Sequence, residues 1–169
     1  MKSSTPTTKA FSGQEVELTL NHGEGTMRPR KVNVTAADAL GIAYEWSFRG
    51  SPREDFAPWS AVHMISLKHG PSKEFPPKSW AKTFKKSKPA GATGMVVVGK
   101  NCEVMIRDLG TDDTEKVTTI KGYVQTIDDQ AAMIVHNRFG QVYQSTIPLT
   151  HVVNIEYREK KDTKPPGVA

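Results

Sequence analysis

Two turns ninety residues apart each set an aromatic ring beside a guanidinium. The first carries Trp46, Phe48 and Arg49, the second His136, Arg138 and Phe139. A nucleobase stacks on such rings while the cation addresses phosphate, and stacking is worth roughly 1–3 kcal/mol per base. A second set of cations can follow a phosphate backbone: Arg28, Arg30 and Lys31 in one loop, and Lys78, Lys82, Lys85 and Lys86 further along. From Lys68 to Lys88 there are seven lysines against one acid, Glu74. The competing expectations are that each Phe turns back to plug its own domain and that the charged linker is merely solvated.

Other residues that could do chemistry do not assemble a reacting site. Gly94 to Asn101, GMVVVGKN, nearly spells a phosphate-binding loop, but Asn101 stands where the hydroxyl residue belongs and the interior is apolar. The histidines, His22, His63, His69, His136 and His151, have no ligand spacing with acids or with the single cysteine, Cys102. Adjacent Asp128 and Asp129 would point to opposite sides of a strand or lie in a turn, which disfavours a catalytic carboxylate pair. The expectation is a protein that is not an enzyme and uses no cofactor or metal. One cysteine forms no internal disulfide, the N-terminus MKSSTPTTKAF has no signal-peptide core, and no window approaches a membrane span, so a cytoplasmic chain is expected. The net charge of +5 admits a polyanionic partner without requiring one.

The elements that must hold the two turns are themselves repeated. Residues 58–68, PWSAVHMISLK, lie over residues 148–158, PLTHVVNIEYR, and the same offset carries Val34 onto Val124 and Asp38 onto Asp128. Self-similarity in one register across separate segments indicates two copies of one unit. In the first copy Val16, Leu18 and Leu20 alternate, then Val32 and Val34, then Leu40, Ile42, Tyr44 and Trp46; the FRGSP turn follows, and a last strand runs through Val62 and Ile65. The second copy repeats the plan from Gly99, and its NRFG turn has Asn137 and Gly140 where a hairpin tolerates left-handed backbone. Short strands joined by turns predict two tandem five-stranded barrels, all-β, over residues 12–68 and 95–158. Between them residues 69–94 form a basic linker with a helical turn or two, where Trp80 and Phe84 share a face. Residues 1–11 and 159–169 read as disordered tails.

In the second copy GYVQTIDDQAAMIV resembles the first motif of the Sm-like (LSm) family of small SH3-like barrels: Gly122, Val124, Ile127, Asp128, Met133 and Val135 fall at that motif's spacings. Ala132 stands where many members carry a base-contacting Asn, and TIPLTHV lacks the family's Arg-Gly pair. The first copy has Val32 in place of the glycine. The resemblance implies Sm-like architecture and self-association through edge strands, with three chains giving six barrels. It agrees with the opposed loops, acidic at Asp108, Asp112, Asp113 and Glu115 where the first copy is basic. The expected function is binding of nucleic acid, single-stranded RNA above all, through the aromatic and arginine turns. The competing reading is a protein-binding adaptor or inhibitor, or a protein that sequesters a small nucleotide, with the barrels as scaffold.

Overall fold

A computed structural model describes residues 11–22, 25–26, 28–84, 88–90, 96–108 and 116–157. In the first copy β1 (Glu15–His22) pairs with a two-residue β2 (Gly25–Thr26) and with β3 (Arg30–Ala37), and β4 (Gly41–Phe48), β5 (Ser51–Pro58) and β6 (Val62–Pro71) follow. A helix, α1 (Lys78–Phe84), and a small ladder of β7 (Lys88–Ala90) with β8 (Val96–Val98) make the connection. The second copy comprises β9 (Asn101–Asp108), β10 (Lys116–Ile127), β11 (Ala131–Arg138), β12 (Gln141–Pro148), a 3-10 turn at Leu149–His151 and β13 (Val152–Tyr157).

The all-β expectation holds, but the two closed barrels do not. One antiparallel sheet runs β13-β9-β10-β11-β12-β6-β1-β3-β4-β5 through both copies. Closing each barrel would require β5 to pair with β6 and β12 with β13, and among the described residues neither ladder exists. Instead β6 lies between β1 on one side and β12 of the other copy on the other.

Within that sheet the two copies match rung for rung. Val34 pairs with Tyr44 and Ala36 with Ala43, with a bulge between; ninety residues on, Val124 pairs with Ile134 and Thr126 with Met133, with the same bulge. Bulges at equal places bend both sheets alike, which lets each wrap a core. Val16, Leu18, Val32, Val34, Ile42, Val62 and Ile65 fill the first core, and Cys102, Val104, Ile106, Val124, Ile134 and Ile147 the second. Each core also takes a methionine from the other copy: Met133 joins the first, and Met64 packs on the second.

Gly122, which carries the motif resemblance, sits where β10 meets β11 closely. A Cβ there would lie 2.3 Å from the Val135 carbonyl oxygen, so only glycine fits. Asp128 closes the turn after β10, its Oδ1 accepting the Gln130 and Ala131 amides, and Asp38 does the same for Leu40 and Gly41. Leu40, expected on the buried face of the third strand, belongs to that turn and is exposed. The described helix of the linker packs on the sheet through its two aromatic residues. Phe84 stacks on Tyr123 with ring centroids 5.0 Å apart and packs with Val135 and Val142, while Trp80 meets His69 edge-on.

Candidate nucleic-acid interface

The turn of the first copy ends at the two-residue loop Arg49-Gly50, with φ values of 50° and 81°. Left-handed backbone at both positions matches the twist of the flanking strands, and Gly50 adopts it freely. In the second copy the left-handed pair is Phe139 and Gly140, with φ of 51° and 74°. Asn137 has another part, since its Oδ1 accepts the Gly140 amide at 3.0 Å.

A two-residue loop fixes what stands opposite what. Trp46 pairs with Arg53 and Phe48 with Ser51, and alternation puts Arg30, Trp46, Phe48 and Arg53 on the face of the sheet that carries the first core, with Trp46 packed against that core. The Arg30 guanidinium lies 3.9 Å over the Trp46 ring. Arg53 is 5.7 Å from Trp46 and 5.0 Å from Phe48, and Arg49 is 5.3 Å from Phe48. Trp46 and Phe48 meet edge to face at 5.8 Å. Three guanidiniums thus alternate with two rings, each contact within the reach of a cation–π attraction. Asp55 accepts the Trp46 indole N–H and fixes that ring, and burial with the Asp55 charge raises the neighbouring Tyr44 hydroxyl above its ordinary pKa.

Four of the expected residues, Arg30, Trp46, Phe48 and Arg49, therefore meet. Arg28 borders the same face in a hollow with Leu18, Leu20, Arg30 and Tyr44. Lys31 does not join them: one residue along the strand, it points to the opposite face and lies 3.9 Å from Glu15. That opposite face is acidic, with Glu15 and Glu45 on either side of Asn33 and Glu54 opposite Glu45. Arg53 was not expected, because SPREDFAP does not look like a strand. The two-residue turn at Arg49-Gly50 was the signal, since it sets Arg53 opposite Trp46.

The second turn is built differently. Ninety residues after Arg30, Trp46, Phe48, Arg49 and Arg53 come Ile120, His136, Arg138, Phe139 and Tyr143. His136 is not displayed at the tip of its turn. It is buried where β12 meets β6, its Nε2 is 2.7 Å from Ser145 Oγ, and that oxygen is 2.7 Å from Ser66 Oγ. Burial, reinforced by the Arg138 charge, pushes its pKa down to about 4. Phe139 is 91% exposed at the tip, 5.5 Å from the Arg138 guanidinium. Behind it a groove of about 460 Å³ is lined by Met64, Ile120, Lys121, His136 and Arg138, among others. Lys78 is exposed and lies 4.0 Å from Glu74. Lys85 and Lys86, the side chain of Lys82, and Asp112, Asp113 and Glu115 lie outside the described residues.

Sequence spacing also missed a buried cluster where the copies meet. His63 Nε2 lies 3.1 Å from Asp108 Oδ1, and the His63 and His151 rings are 5.5 Å apart. Burial lowers both histidine pKa values, with Asp108 opposing the shift of His63 and His63 adding to that of His151. Among the described residues no group of three or more potential ligands could hold a metal ion, and no helix is long and apolar enough to cross a membrane. No family model, no curated protein and no solved structure matches the chain.

Proposed function

We propose that the chain is a non-enzymatic binder of single-stranded nucleic acid, RNA in preference, acting through the face of Arg30, Trp46, Phe48, Arg49 and Arg53. The alternation of three guanidiniums with two rings carries this reading. Stacked, splayed bases need exposed ring faces beside cations, and Phe48 is 43% exposed among them. Phe139 at the second tip supplies a further ring with Arg138 beside it. Within this reading each half is an Sm-like unit, supported by Gly122 at the close approach to Val135 and by Asp128 closing the next turn. The one cysteine, Cys102, is buried with its thiol pushed up to about 11 by desolvation, which leaves it unreactive; a cytoplasmic setting belongs to the same reading.

Titrating a labelled single-stranded RNA at several salt concentrations tests this. Phe48→Ala together with Phe139→Ala should weaken binding by about 1–3 kcal/mol per lost stack and leave the salt slope nearly unchanged. Arg30→Gln with Arg53→Gln should flatten the salt slope, because fewer counterions are released. If the parent does not bind RNA at low salt, the protein-binding adaptor reading takes its place. A small copurified nucleotide, seen as excess absorbance at 260 nm, would favour sequestration instead.

A further inference from the structure

The groove behind the second turn exists because short side chains stand where the first copy has long ones. Thr118, Ile120, His136 and Arg138 lie ninety residues after Arg28, Arg30, Trp46 and Phe48. In the first copy Arg28 and Arg30 close over Leu18, Leu20 and Tyr44 and leave about 10 Å³, with the Arg30 guanidinium laid on the Trp46 ring. A threonine and an isoleucine at the equivalent rungs do not reach as far, and the second copy opens to about 460 Å³. That volume lies in the range of small-molecule sites. Its floor is apolar, since Ile120 is buried in the second core and Met64 of the first copy reaches across to pack on that core. His136, held neutral by burial, adds a flat ring without a charge.

The charge around this floor is of one sign. None of the described lining residues is acidic, and Asp108, which accepts the Thr118 hydroxyl, is turned to His63 at 3.1 Å. Lys121 is engaged by Glu103, 3.3 Å away. Arg138 has the Phe139 ring 5.5 Å from its guanidinium and no carboxylate partner among the described residues. We propose that the groove binds a small aryl carboxylate, with the ring between Met64 and Ile120 and the carboxylate held by Arg138. A guanidinium matches a carboxylate with two parallel hydrogen bonds, and a thioether is a favourable neighbour for an aromatic ring. One open cation suits a single negative charge, whereas a phosphate backbone asks for a row of them. Because Met64 comes from the first copy and the rest from the second, an occupant also bridges the copies and stabilises the folded chain by mass action.

This site does not rest on the nucleic-acid reading. Its test is calorimetric titration of the full chain with naphthoate, set against the neutral naphthylmethanol. Naphthoate should bind at one site per chain, and naphthylmethanol about tenfold more weakly, because it offers Arg138 no charge. Arg138→Gln, at an exposed position, should weaken naphthoate by about tenfold or more, and Arg138→Lys, which keeps the charge without the fork, by less. Thr118→Trp, also at an exposed position, should fill the groove and remove binding. The paired Arg30→Gln and Arg53→Gln variant should bind naphthoate like the parent while its RNA salt slope flattens, so the two readings fail separately. Any of four results would overturn the proposal: no binding of naphthoate at millimolar concentration, naphthylmethanol binding as tightly, Arg138→Gln or Thr118→Trp binding like the parent, or adenosine monophosphate displacing naphthoate at concentrations below those at which naphthoate itself binds.

Discussion

Single residues in this chain change role with what lies beside them. Trp46 and His136 occupy equivalent places, yet Trp46 is half-buried against the first core with guanidiniums over its ring, and His136 is buried and hydrogen-bonded to Ser145. The sign of its titration follows from that burial. The folded state holds His136 neutral with a pKa of about 4 against 6.5 for the free side chain, so the unfolded chain takes up the proton first as pH falls. The stabilisation is whole above pH 6.5 and, at about 3 kcal/mol, is lost between there and about pH 4. His63 and His151 are shifted in the same direction and add to the loss. Urea midpoints measured from pH 7 to pH 4 should fall more steeply for the parent than for His136→Gln. Equal slopes would show that the imidazole is protonated in the folded state.

At the scale of elements, the ninety-residue repeat was legible because apolar alternation and the Pro58/Pro148 segments survive in both copies, and the structure aligns Val34 with Val124 rung for rung. The strand β5 was not legible. SPREDFAP has two prolines, three charges and no alternating apolar row, since at a free edge neither face of most of it is covered. Its counterpart QVYQSTIP read easily as a strand because the junction buries it. The pairing of whole strands between copies was equally hidden, as nothing local in β6 or β12 names its second neighbour. The linker shows the same division. That Trp80 and Phe84 share a helical face follows from their spacing, but the face they cover, Tyr123 with Val135 and Val142, is a property of the folded second copy. Phe84 is 7% exposed, and Phe84→Ala should cost about 3 kcal/mol in urea unfolding. Lys78→Gln, at an exposed pair with Glu74, should change stability by no more than about 0.5 kcal/mol. A Phe84→Ala variant as stable as the parent would return α1 to the status of a loose tether.

For the whole molecule, the decisive feature is that neither copy completes itself. Met133 of the second copy is buried in the first core, Met64 of the first packs on the second core, and Ser66 and Ser145 meet between them. A half unfolding alone would strip β12 or β6 of its partner and leave fully buried Thr146 and Ile65 facing water. Tandem modules joined by a solvated linker would melt one at a time, whereas these share strands as well as side chains, so one transition is expected. Equivalent core positions make the comparison direct. Val34→Ala empties the first core and Val124→Ala the second, and both side chains are buried at matching rungs. In calorimetry each variant should move the same single endotherm downward by several degrees, at roughly 2–4 °C per kcal/mol for a chain of this size. Two endotherms, with Val34→Ala lowering one and leaving the other in place, would mean that the copies are independent domains and that the junction contributes little to folding. A single endotherm moved by either variant would mean that the β6–β12 joint binds the copies into one cooperative unit.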